Sequence, residues 1–324
     1  WVADRPVGKE LPNDSNSETA YNTGNADMAN NNLLMHLNDD PAYAGDKITG
    51  SSAGHNNGVL YTSDSLDKAD TGKLGGALQF DGDGDYILIP DADGLDSTRD
   101  LTISAWVKPD ATNGTIISKK HDAVSTIYTL KLSSGKFLFS TQGTHGETRT
   151  YATDDSFSTG QWLHVAAVFT DSNTMQIWVN GENKSVSLIE TDGGDYGVLA
   201  DSLEDLVIGN CKVNELYWDG LIDEVAIWDQ SFGSDEIEDL YLRGALRFKV
   251  QVRSDTNNPP RGDFLGPDGT NTDYYQWGEI NSIDLPDFTL TNVPDNRYFQ
   301  YRVYFETDAG DRNYSPYLKS VTVS

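Results

Sequence analysis

The chain has 324 residues, more than one compact domain usually contains, so we expect two domains. Apolar residues make up 37% of the chain, enough for a core, while the formal net charge of −28 makes nucleic acids and anionic membranes poor partners. The single cysteine, Cys211, excludes an internal disulfide and a multi-cysteine zinc site.

Charge and apolar runs also bear on location. Divalent cations are natural partners for a charge of −28, although the same charge fits a solubility role in a marine or halophilic secreted protein. No apolar run approaches the length of about 18 residues that a membrane-spanning helix needs, and Trp1 begins neither a basic stretch nor a signal segment. We therefore expect a piece of a longer secreted protein, without membrane insertion.

The first 30 residues are rich in Asn, Asp, Ser, Thr and Gly and lack periodicity, which predicts a lead-in segment or an edge strand of a later unit. A strand is predicted at 33–37, and a loop follows over 38–73. Short β patterns then recur every 10 to 15 residues, which is typical of a sandwich or jelly roll. They lie at 77–80, 86–90, 101–107, 115–118, 128–132, 137–141, 162–170, 175–179, 206–208 and 221–228.

Alternation along these strands separates two faces. In 101–108 one face carries Leu, Ile, Ala and Val, and the other carries Thr, Ser, Trp and Lys. Trp106, Trp162 and Trp178 all fall on the more polar face. That face is expected either to be the ligand-facing sheet or to be covered by other parts of the chain.

Helical periodicity is confined to 233–241, where Ser234 is the expected N-cap and Ile237 and Tyr241 form an apolar pair. After it, 246–253 alternates strictly and strands resume at 288–290, 299–305 and 318–323. The predicted fold class is thus all-β. An antiparallel jelly-roll sandwich over 31–244 is followed by a smaller β-sandwich-like unit over 245–324.

Five segments occur in the order of a known family: GALQFDGDGDYI (76–87), LTISAWVKP (101–109), QWLHVAAVF (161–169), IWVNG (177–181) and GLIDEVAIW (220–228). Together they resemble the laminin-G-like, concanavalin A-like jelly rolls. The segments 264–270 and 302–323 resemble a β-rich unit that follows such jelly rolls in large repetitive bacterial surface proteins.

The resemblance implies two stacked antiparallel sheets, a structural calcium ion, and carbohydrate binding or adhesion at a cell surface. It implies Asp223 as a calcium ligand from the late strand, with Asp39, Asp46 and Asn56 from an early loop. That loop departs from the family pattern, because Gly50 stands where the family has Asp.

The run 81–85 begins like an EF-hand loop, but Tyr86 and Ala92 stand where that loop needs Gly and Glu. Two interpretations remain: a tight turn between two strands, or a calcium contact through Asp83 or Asp85.

A sugar site needs aromatic platforms beside hydrogen-bonding side chains, because pyranose faces are apolar and their rims polar. Three loops offer both. The candidate ligand-binding residues are Lys120, His121 and Asp122 in the first, His145, Arg149 and Tyr151 in the second, and Tyr217 and Trp218 in the third. Adjacent large aromatics at 217 and 218 need an unusual reason to stand in water, which favours the third loop.

Catalysis is not expected. The hydrolases of this superfamily carry a Glu-x-Asp-x-x-Glu string that the chain lacks, and Glu215, Asp219 and Asp223 are spaced too widely along one strand. The resemblance implies that the strand of His164 is structural. The sequence therefore favours a secreted, calcium-binding module that binds a glycan, monomeric within a larger multidomain chain. A spacer domain of a giant surface protein and a polysaccharide-degrading enzyme are the alternatives.

Overall fold

The computed structural model describes residues 2–3, 5–41, 43–62, 69–96, 99–120, 126–171, 173–191, 193–211, 216–276, 290, 292–308 and 318–320. Nearly all regular structure in them is β. The strands are β1 (Val2–Ala3), β2 (Asn31–Met35), β3 (Lys47–Ile48), β4 (Gly58–Tyr61), β5 (Ala69–Thr71), β6 (Gly76–Asp81), β7 (Tyr86–Ile89), β8 (Leu101–Pro109), β9 (Gly114–Lys120), β10 (Thr126–Ser133), β11 (Lys136–Gln142), β12 (Thr148–Thr153), β13 (Leu163–Phe169), β14 (Met175–Val179), β15 (Glu182–Asn183), β16 (Val186–Thr191), β17 (Leu206–Ile208), β18 (Asp219–Trp228), β19 (Leu246–Asp255), β20 (Tyr275–Gln276), β21 (Tyr298–Thr307) and β22 (Leu318–Ser320). A 3-10 helix (Asp93–Leu95) and one α-helix, α1 (Ser234–Ala245), complete the described elements.

The chain divides into two compact units. The larger unit comprises Leu11–Ser17 and Ala26–Tyr241, and the smaller unit comprises Trp1–Glu10, Glu18–Asn25 and Leu242–Ser324. In the larger unit, a nine-stranded sheet has the order β16-β12-β11-β10-β9-β17-β7-β4-β3. An eight-stranded sheet has the order β15-β14-β13-β8-β18-β6-β5, with β2 also paired to β18. All described pairings are antiparallel, and the all-β jelly-roll prediction is confirmed.

The main core of the larger unit is formed by alternate residues of the strands, as the sequence pattern predicted. From β8 the buried core residues are Leu101, Ile103, Ala105 and Val107. Directly opposite residues of antiparallel strands share a face, and β13 supplies Leu163, Val165, Ala167 and Phe169 in matching register. The apolar side of these strands therefore faces the nine-stranded sheet.

The opposite face of the eight-stranded sheet, which we call its outer face, is closed. Trp106 is 2% exposed and Trp178 is 7% exposed. A second apolar cluster covers this face, and it includes Leu11, Met28, Leu34, Ala166, Trp178, Ala226, Trp228, Phe232, Ile237 and Leu240. At Trp106 and Trp178 the first interpretation, a ligand-facing sheet, is therefore wrong, and the second, cover by other parts of the chain, is confirmed, whereas Trp162 is only half-buried.

A bulge interrupts β18 and sets which side chains reach the outer face. Ile222 and Val225 both belong to the main core, so two residues stand between core positions where strict alternation allows one. The register with β8 shifts here, and Glu224 has a φ of +50°. Asp223 lies opposite Trp106 on the outer face.

Helix α1 was predicted over 233–241, and the structure extends it to Ala245. The expected cap is wrong by one residue. The Gly233 carbonyl accepts the first helical bond from the Ile237 N–H (3.2 Å), and the Glu236 carboxylate accepts the Gly233 N–H (3.0 Å). Gly233 thus takes the cap position in place of Ser234, and Glu236 supplies the carboxylate half of a capping box. No helix in the described part of the chain is both long and apolar enough to cross a bilayer.

The smaller unit is built on β19 and β21, which pair along ten residues, with β20 on the other side of β19. Its described part also contains a two-stranded sheet of β1 and β22. Lys9 and Arg243 both pair with Glu18 inside this unit. Burial alone would raise the pKa of Glu18, but the two cations outweigh burial and lower it.

Candidate functional site

The predicted late calcium ligand, Asp223, is fully buried on the outer face of the eight-stranded sheet. Its Oδ2 atom accepts a hydrogen bond from the Leu74 N–H at 2.9 Å. A Cβ atom on Gly72 would lie only 2.7 Å from the same oxygen, so the turn before β6 packs tightly on this carboxylate. Asp223 thus fixes a turn inside the fold.

The early-loop residues make local hydrogen bonds. The Asp39 carboxylate accepts the N–H and the hydroxyl of Thr49, at 2.9 and 2.8 Å. Asp46 accepts the Tyr43 N–H (2.9 Å), and the Asn56 amide donates to the Asn32 carbonyl (2.8 Å). Within the described ranges, no three of the predicted carboxylates place oxygens within 4.8 Å of one another. Asp223 therefore does not group with Asp39 and Asp46 in the described structure, and calcium ligation by Asp223, Asp39, Asp46 or Asn56 stays a prediction.

Residues 81–85 form the tight turn between β6 and β7. Gly82 and Gly84 take φ values of +82° and +89°, which glycine adopts without steric cost. The Asp83 N–H bonds the Asp81 side chain at 2.7 Å, and the Asp81 N–H bonds the buried Asp85 carboxylate at 3.1 Å. The turn interpretation is confirmed, and a calcium contact through Asp83 or Asp85 stays a prediction.

A histidine–carboxylate pair that no sequence motif marks lies in the larger unit. His36 Nδ1 contacts Glu224 Oε1, and His36 Nε2 lies 2.7 Å from Asn13 Oδ1. The other Glu224 oxygen accepts the Leu11 N–H at 3.0 Å. These buried side chains are of types that can hold a metal ion, but nothing in them indicates calcium, which prefers oxygen ligands only.

Two of the three predicted sugar-binding loops lie at the same end of the nine-stranded sheet. Lys120 ends β9, and His145 and Arg149 lie around the hairpin between β11 and β12. At this end, β9 pairs with β10 at Lys120, and β10 pairs with β11 beside Gln142. His121 and Asp122 lie outside the described residues.

The His145 hairpin is held by ion pairs. His145 Nδ1 lies 3.0 Å from Asp195 Oδ2, and both side chains are exposed. Arg149 Nε donates to Glu147 Oε1 at 2.6 Å, while its guanidinium lies 4.7 Å from the centre of the Tyr196 ring. Tyr151 is half-buried and packs against the core. Arg149 is thus already engaged on two sides, and Tyr151 does not present a free ring.

The third predicted loop lies at the opposite end of the nine-stranded sheet. Trp218 is 1% exposed and belongs to the main core, so the expectation that it stands in water is wrong. Its ring packs on the start of β9, where a Cβ on Gly114 would lie 2.9 Å from Trp218 Cε3. Tyr217, in contrast, is only half-buried.

Tyr217 joins two tyrosines that sequence reasoning missed. Tyr61 and Tyr86 face each other across β4 and β7, with ring centroids 4.8 Å apart and planes 2° from parallel. Tyr61 is 42% exposed. Burial, and then the neighbouring Tyr61 and Tyr217, raise the pKa of Tyr86 above its usual value. We call Tyr61, Tyr86 and Tyr217 the tyrosine surface.

The tyrosine surface lies on the outer face of the nine-stranded sheet. Leu60 and Ile87, the chain neighbours of Tyr61 and Tyr86, both belong to the main core. Since side chains alternate along a strand, Tyr61 and Tyr86 point away from the core. No hydrophobic run marks them, because they meet only through the β4–β7 register.

Serine, histidine and carboxylate side chains do not form a triad at His164. Ser104 Oγ lies 2.9 Å from His164 Nε2, but the buried His164 Nδ1 has no hydrogen-bond partner in the described part of the chain. Burial, followed by the charge of Lys73, lowers the pKa of His164 to about 3. A neutral buried imidazole without an orienting carboxylate is a structural group.

Comparisons with known proteins agree with this fold. Residues 81–238 match the family described as the concanavalin A-like lectin/glucanases superfamily. The comparison with curated protein sequences finds no match.

Three solved structures with similar folds are as follows. The binding domain of Paraclostridial Mosquitocidal Protein 1 has 13% identity and a TM-score of 0.52, over 73% of this chain and 63% of that one. The binding domain of botulinum neurotoxin serotype D has 17% identity and a TM-score of 0.50, over 73% and 56%. Domain 4 of AbnA, a GH43 extracellular arabinanase from Geobacillus stearothermophilus, has 21% identity and a TM-score of 0.45, over 65% and 98%.

The chain thus spans less than two thirds of the first two structures. At these identities the likeness concerns the fold alone. Residues 81–238 thus resemble the concanavalin A-like lectin/glucanase superfamily in sequence, and the two antiparallel sheets agree with that likeness.

Proposed function

We propose that the larger unit is a carbohydrate-binding module without catalytic activity of its own, and that the tyrosine surface is where the glycan docks. The observation that carries the proposal is the parallel Tyr61–Tyr86 pair, exposed on the outer face of the nine-stranded sheet beside Tyr217. The match of residues 81–238 to a lectin/glucanase superfamily supports it. So does the naming of two structures of the same fold as binding domains.

The chemistry of the surface suits a sugar ring. One face of a pyranose carries mainly C–H groups and packs on a flat aromatic ring, while its hydroxyl rim needs polar partners. Tyrosine supplies both parts in one side chain, a flat ring and a phenolic hydroxyl at its edge. Three tyrosines in one patch therefore offer stacking and hydrogen bonding without further groups.

Calcium has no part in this proposed contact, and secretion to a bacterial cell surface is the setting in which such a module would act. The calcium expectation from the sequence is tested separately by the melting temperature in calcium chloride and in EDTA. A rise in calcium, with none in magnesium, would support a structural ion.

The tyrosine proposal is tested with the full chain on a panel of neutral polysaccharides, by affinity electrophoresis and calorimetry. Wild-type protein is expected to bind at least one of them. Tyr61→Ala and Tyr86→Ala are expected to weaken binding about threefold to tenfold, since an aromatic stacking contact contributes about 0.5–1.5 kcal/mol. Release of reducing sugar from the bound polysaccharide would contradict the non-catalytic part.

Tyr301→Ala is the matched control, because Tyr301 is 44% exposed, close to the 42% of Tyr61, and lies on β21 in the smaller unit. Its affinity should equal that of the wild type. Circular dichroism confirms that each variant is folded. Equal affinity of all three variants would place the glycan elsewhere, and absence of binding to every glycan tested, charged ones included, would overturn the proposed function.

A further inference from the structure

The loop after β19 in the smaller unit carries an arginine, a glycine and an aspartate in succession, at 261–263. All three residues are exposed. The base of the loop is closed by two hydrogen bonds between Val252 and Leu265, whose N–H and carbonyl groups bond each other at 3.0 and 2.9 Å. We call residues 256–264 the arginine–aspartate loop. It projects from a fixed base on the sheet of β19.

The carboxylate of Asp255 holds one side of the arginine–aspartate loop. Its Oδ2 atom accepts the backbone N–H of Arg261 at 3.0 Å, and its Oδ1 atom accepts the backbone N–H of Asn257 at 3.2 Å. The side-chain amide of Asn257 donates to the same Oδ1 at 3.0 Å. The bond from Arg261 first, and then those from Asn257, lower the pKa of Asp255 to about 2. The carboxylate is therefore ionised at neutral pH and restrains the loop backbone.

Arg253 holds the other side of the loop. Its Nη1 atom donates to the Gly262 carbonyl at 2.7 Å, while its Nε and Nη2 atoms donate to Gln300 Oε1 at 3.0 and 2.7 Å. The same guanidinium lies 4.3 Å from the centre of the Phe264 ring. Gly262 has a φ of +87°, which glycine adopts without steric cost. Together with the bond to Asp255, these contacts hold the tripeptide backbone at two points.

The two charged side chains of the tripeptide are not used by the fold. In the part of the chain that the structure describes, Arg261 and Asp263 form no ion pair, and their side chains make no hydrogen bond. The contacts of the loop thus order its backbone and leave a guanidinium and a carboxylate in solvent. A partner can bind such a loop at a smaller cost in conformational entropy than a flexible one.

This pair of opposite charges fits one kind of partner. An exposed carboxylate can complete the coordination of a Mg²⁺ or Mn²⁺ ion that another protein holds with its own oxygen ligands. An arginine fork pairs best with carboxylates, through two parallel hydrogen bonds. The glycine between them has no side chain and lets the backbone of a partner approach closely. Arginine, glycine and aspartate in this order form the tripeptide that animal integrins bind through these two contacts.

From the exposed tripeptide and its held backbone we infer that the smaller unit docks on an integrin-type receptor of an animal cell surface. Asp263 binds the divalent cation of the receptor, and Arg261 enters its acidic pocket. The inference is independent of glycan binding by the larger unit, because the loop and the contacts that hold it belong to the smaller unit.

The test uses the full chain on a biosensor surface and the purified vitronectin-receptor integrin in solution. Binding is expected in buffer with Mn²⁺ and should disappear in EDTA, because the aspartate is bound through the metal ion. A soluble Arg-Gly-Asp peptide should compete, whereas an Arg-Gly-Glu peptide should not. Absence of binding in Mn²⁺, or binding that EDTA and the Arg-Gly-Asp peptide leave unchanged, would overturn the inference.

Two variants separate the tripeptide from general adsorption of an acidic protein. Asp263→Glu keeps the charge but moves the carboxylate by one methylene, and it is expected to weaken integrin binding about tenfold or more. Asp295→Glu is the matched control, because Asp295 is exposed in the same unit, and it should bind like the wild type. Equal affinity of the two variants would overturn the inference.

Asp255→Ala tests whether the held backbone contributes. It leaves the tripeptide intact and removes the acceptor of the Arg261 and Asn257 N–H groups. Integrin binding is expected to weaken about threefold to tenfold, because the loop loses preorganisation, while circular dichroism shows that the protein stays folded. Unchanged affinity would mean that the tripeptide is bound regardless of the fold, which contradicts the inference from the structure.

Discussion

Both sheets of the larger unit carry aromatic side chains on their outer faces, but one face is covered by other parts of the chain and the other reaches solvent. On the eight-stranded sheet, Trp106 and Trp178 lie beneath a second apolar cluster. On the nine-stranded sheet, Tyr61 reaches solvent and stacks on Tyr86. Aromatic side chains on the polar parity of a strand therefore do not by themselves indicate a ligand-facing sheet. What decides is whether another part of the chain returns to cover the face.

The covered face shows how polar groups are accommodated under such a layer. Thr102 Oγ1 donates to the Gln230 carbonyl (2.6 Å) and accepts the Phe232 N–H (3.0 Å). The buried side chains of Ser104 and His164 likewise form a hydrogen bond with each other. Each buried polar atom of this kind lies beside a partner that its sequence position alone does not reveal.

The largest expected effect separates the two faces directly. Trp106→Ala is expected to lower the free energy of unfolding by about 3–5 kcal/mol, because Trp106 is buried against Tyr241 with Lys73 over its ring. Tyr61→Ala should change it by less than about 1 kcal/mol, because its ring is partly in solvent. Urea unfolding measures both, and equal losses would remove the distinction between a closed and an open face.

Removing one buried hydroxyl tests whether the closed face depends on its internal hydrogen bonds. Thr102→Val keeps the shape but leaves the Gln230 carbonyl and the Phe232 N–H without this partner. We expect a loss of about 1–3 kcal/mol in the same unfolding measurement. An unchanged stability would mean that water or backbone movement replaces the hydroxyl.

Acidification should also act on the closed face. His164 has a folded pKa of about 3, below the value near 6.5 expected for an unfolded chain. The unfolded state therefore binds a proton first, so His164 reduces stability as the pH falls from about 6.5 towards 3 and has no such effect above that range. Comparison of His164→Gln with the wild type across this window should show a shallower pH dependence for the variant. Parallel curves would contradict a buried neutral histidine.

The smallest effect lies at the start of β18, at one end of the eight-stranded sheet, and has the opposite sign. Asp219→Asn is expected to raise the free energy of unfolding by about 0.2–1 kcal/mol at neutral pH, because it removes a carboxylate that is repelled by Asp81, its partner in the sheet register, and by Asp110. Since the pKa of Asp219 is raised in the folded protein, protonation at low pH relieves the same repulsion, and the advantage of the variant should vanish there. A destabilised Asp219→Asn at neutral pH would mean that the carboxylate is paired.

Much of the fold could be predicted from local pattern. Period-two alternation in 101–107 and 163–169 assigned the core side of two central strands, because a one-residue shift would bury the wrong set. The turn at 81–85 followed from the preference of Asp and Gly for its backbone angles. Such features depend on residues close in sequence.

The candidate site depends on residues far apart, and local pattern does not reach it. Tyr61 meets Tyr86 through the register between β4 and β7, and Tyr217 joins them from a segment 131 residues after Tyr86. At Trp218, local pattern predicted exposure to solvent, but the fold buries the side chain. Its neighbour Tyr217 is partly open to solvent while Trp218 enters the core, because successive residues of an extended segment point in opposite directions.

The extra residue in β18 also determines how the strand tolerates changes in length. Deleting Glu224 would leave only Asp223 between the core residues Ile222 and Val225, which is the alternation of a regular strand. Val225 and Ile227 would keep their core side, and Trp228 would stay on the outer face. Deleting Ala226, beyond the bulge, would instead turn Ile227 away from the core and drive Trp228 into it. A single-codon deletion in the second half of β18 should therefore be far less damaging at the bulge than after it.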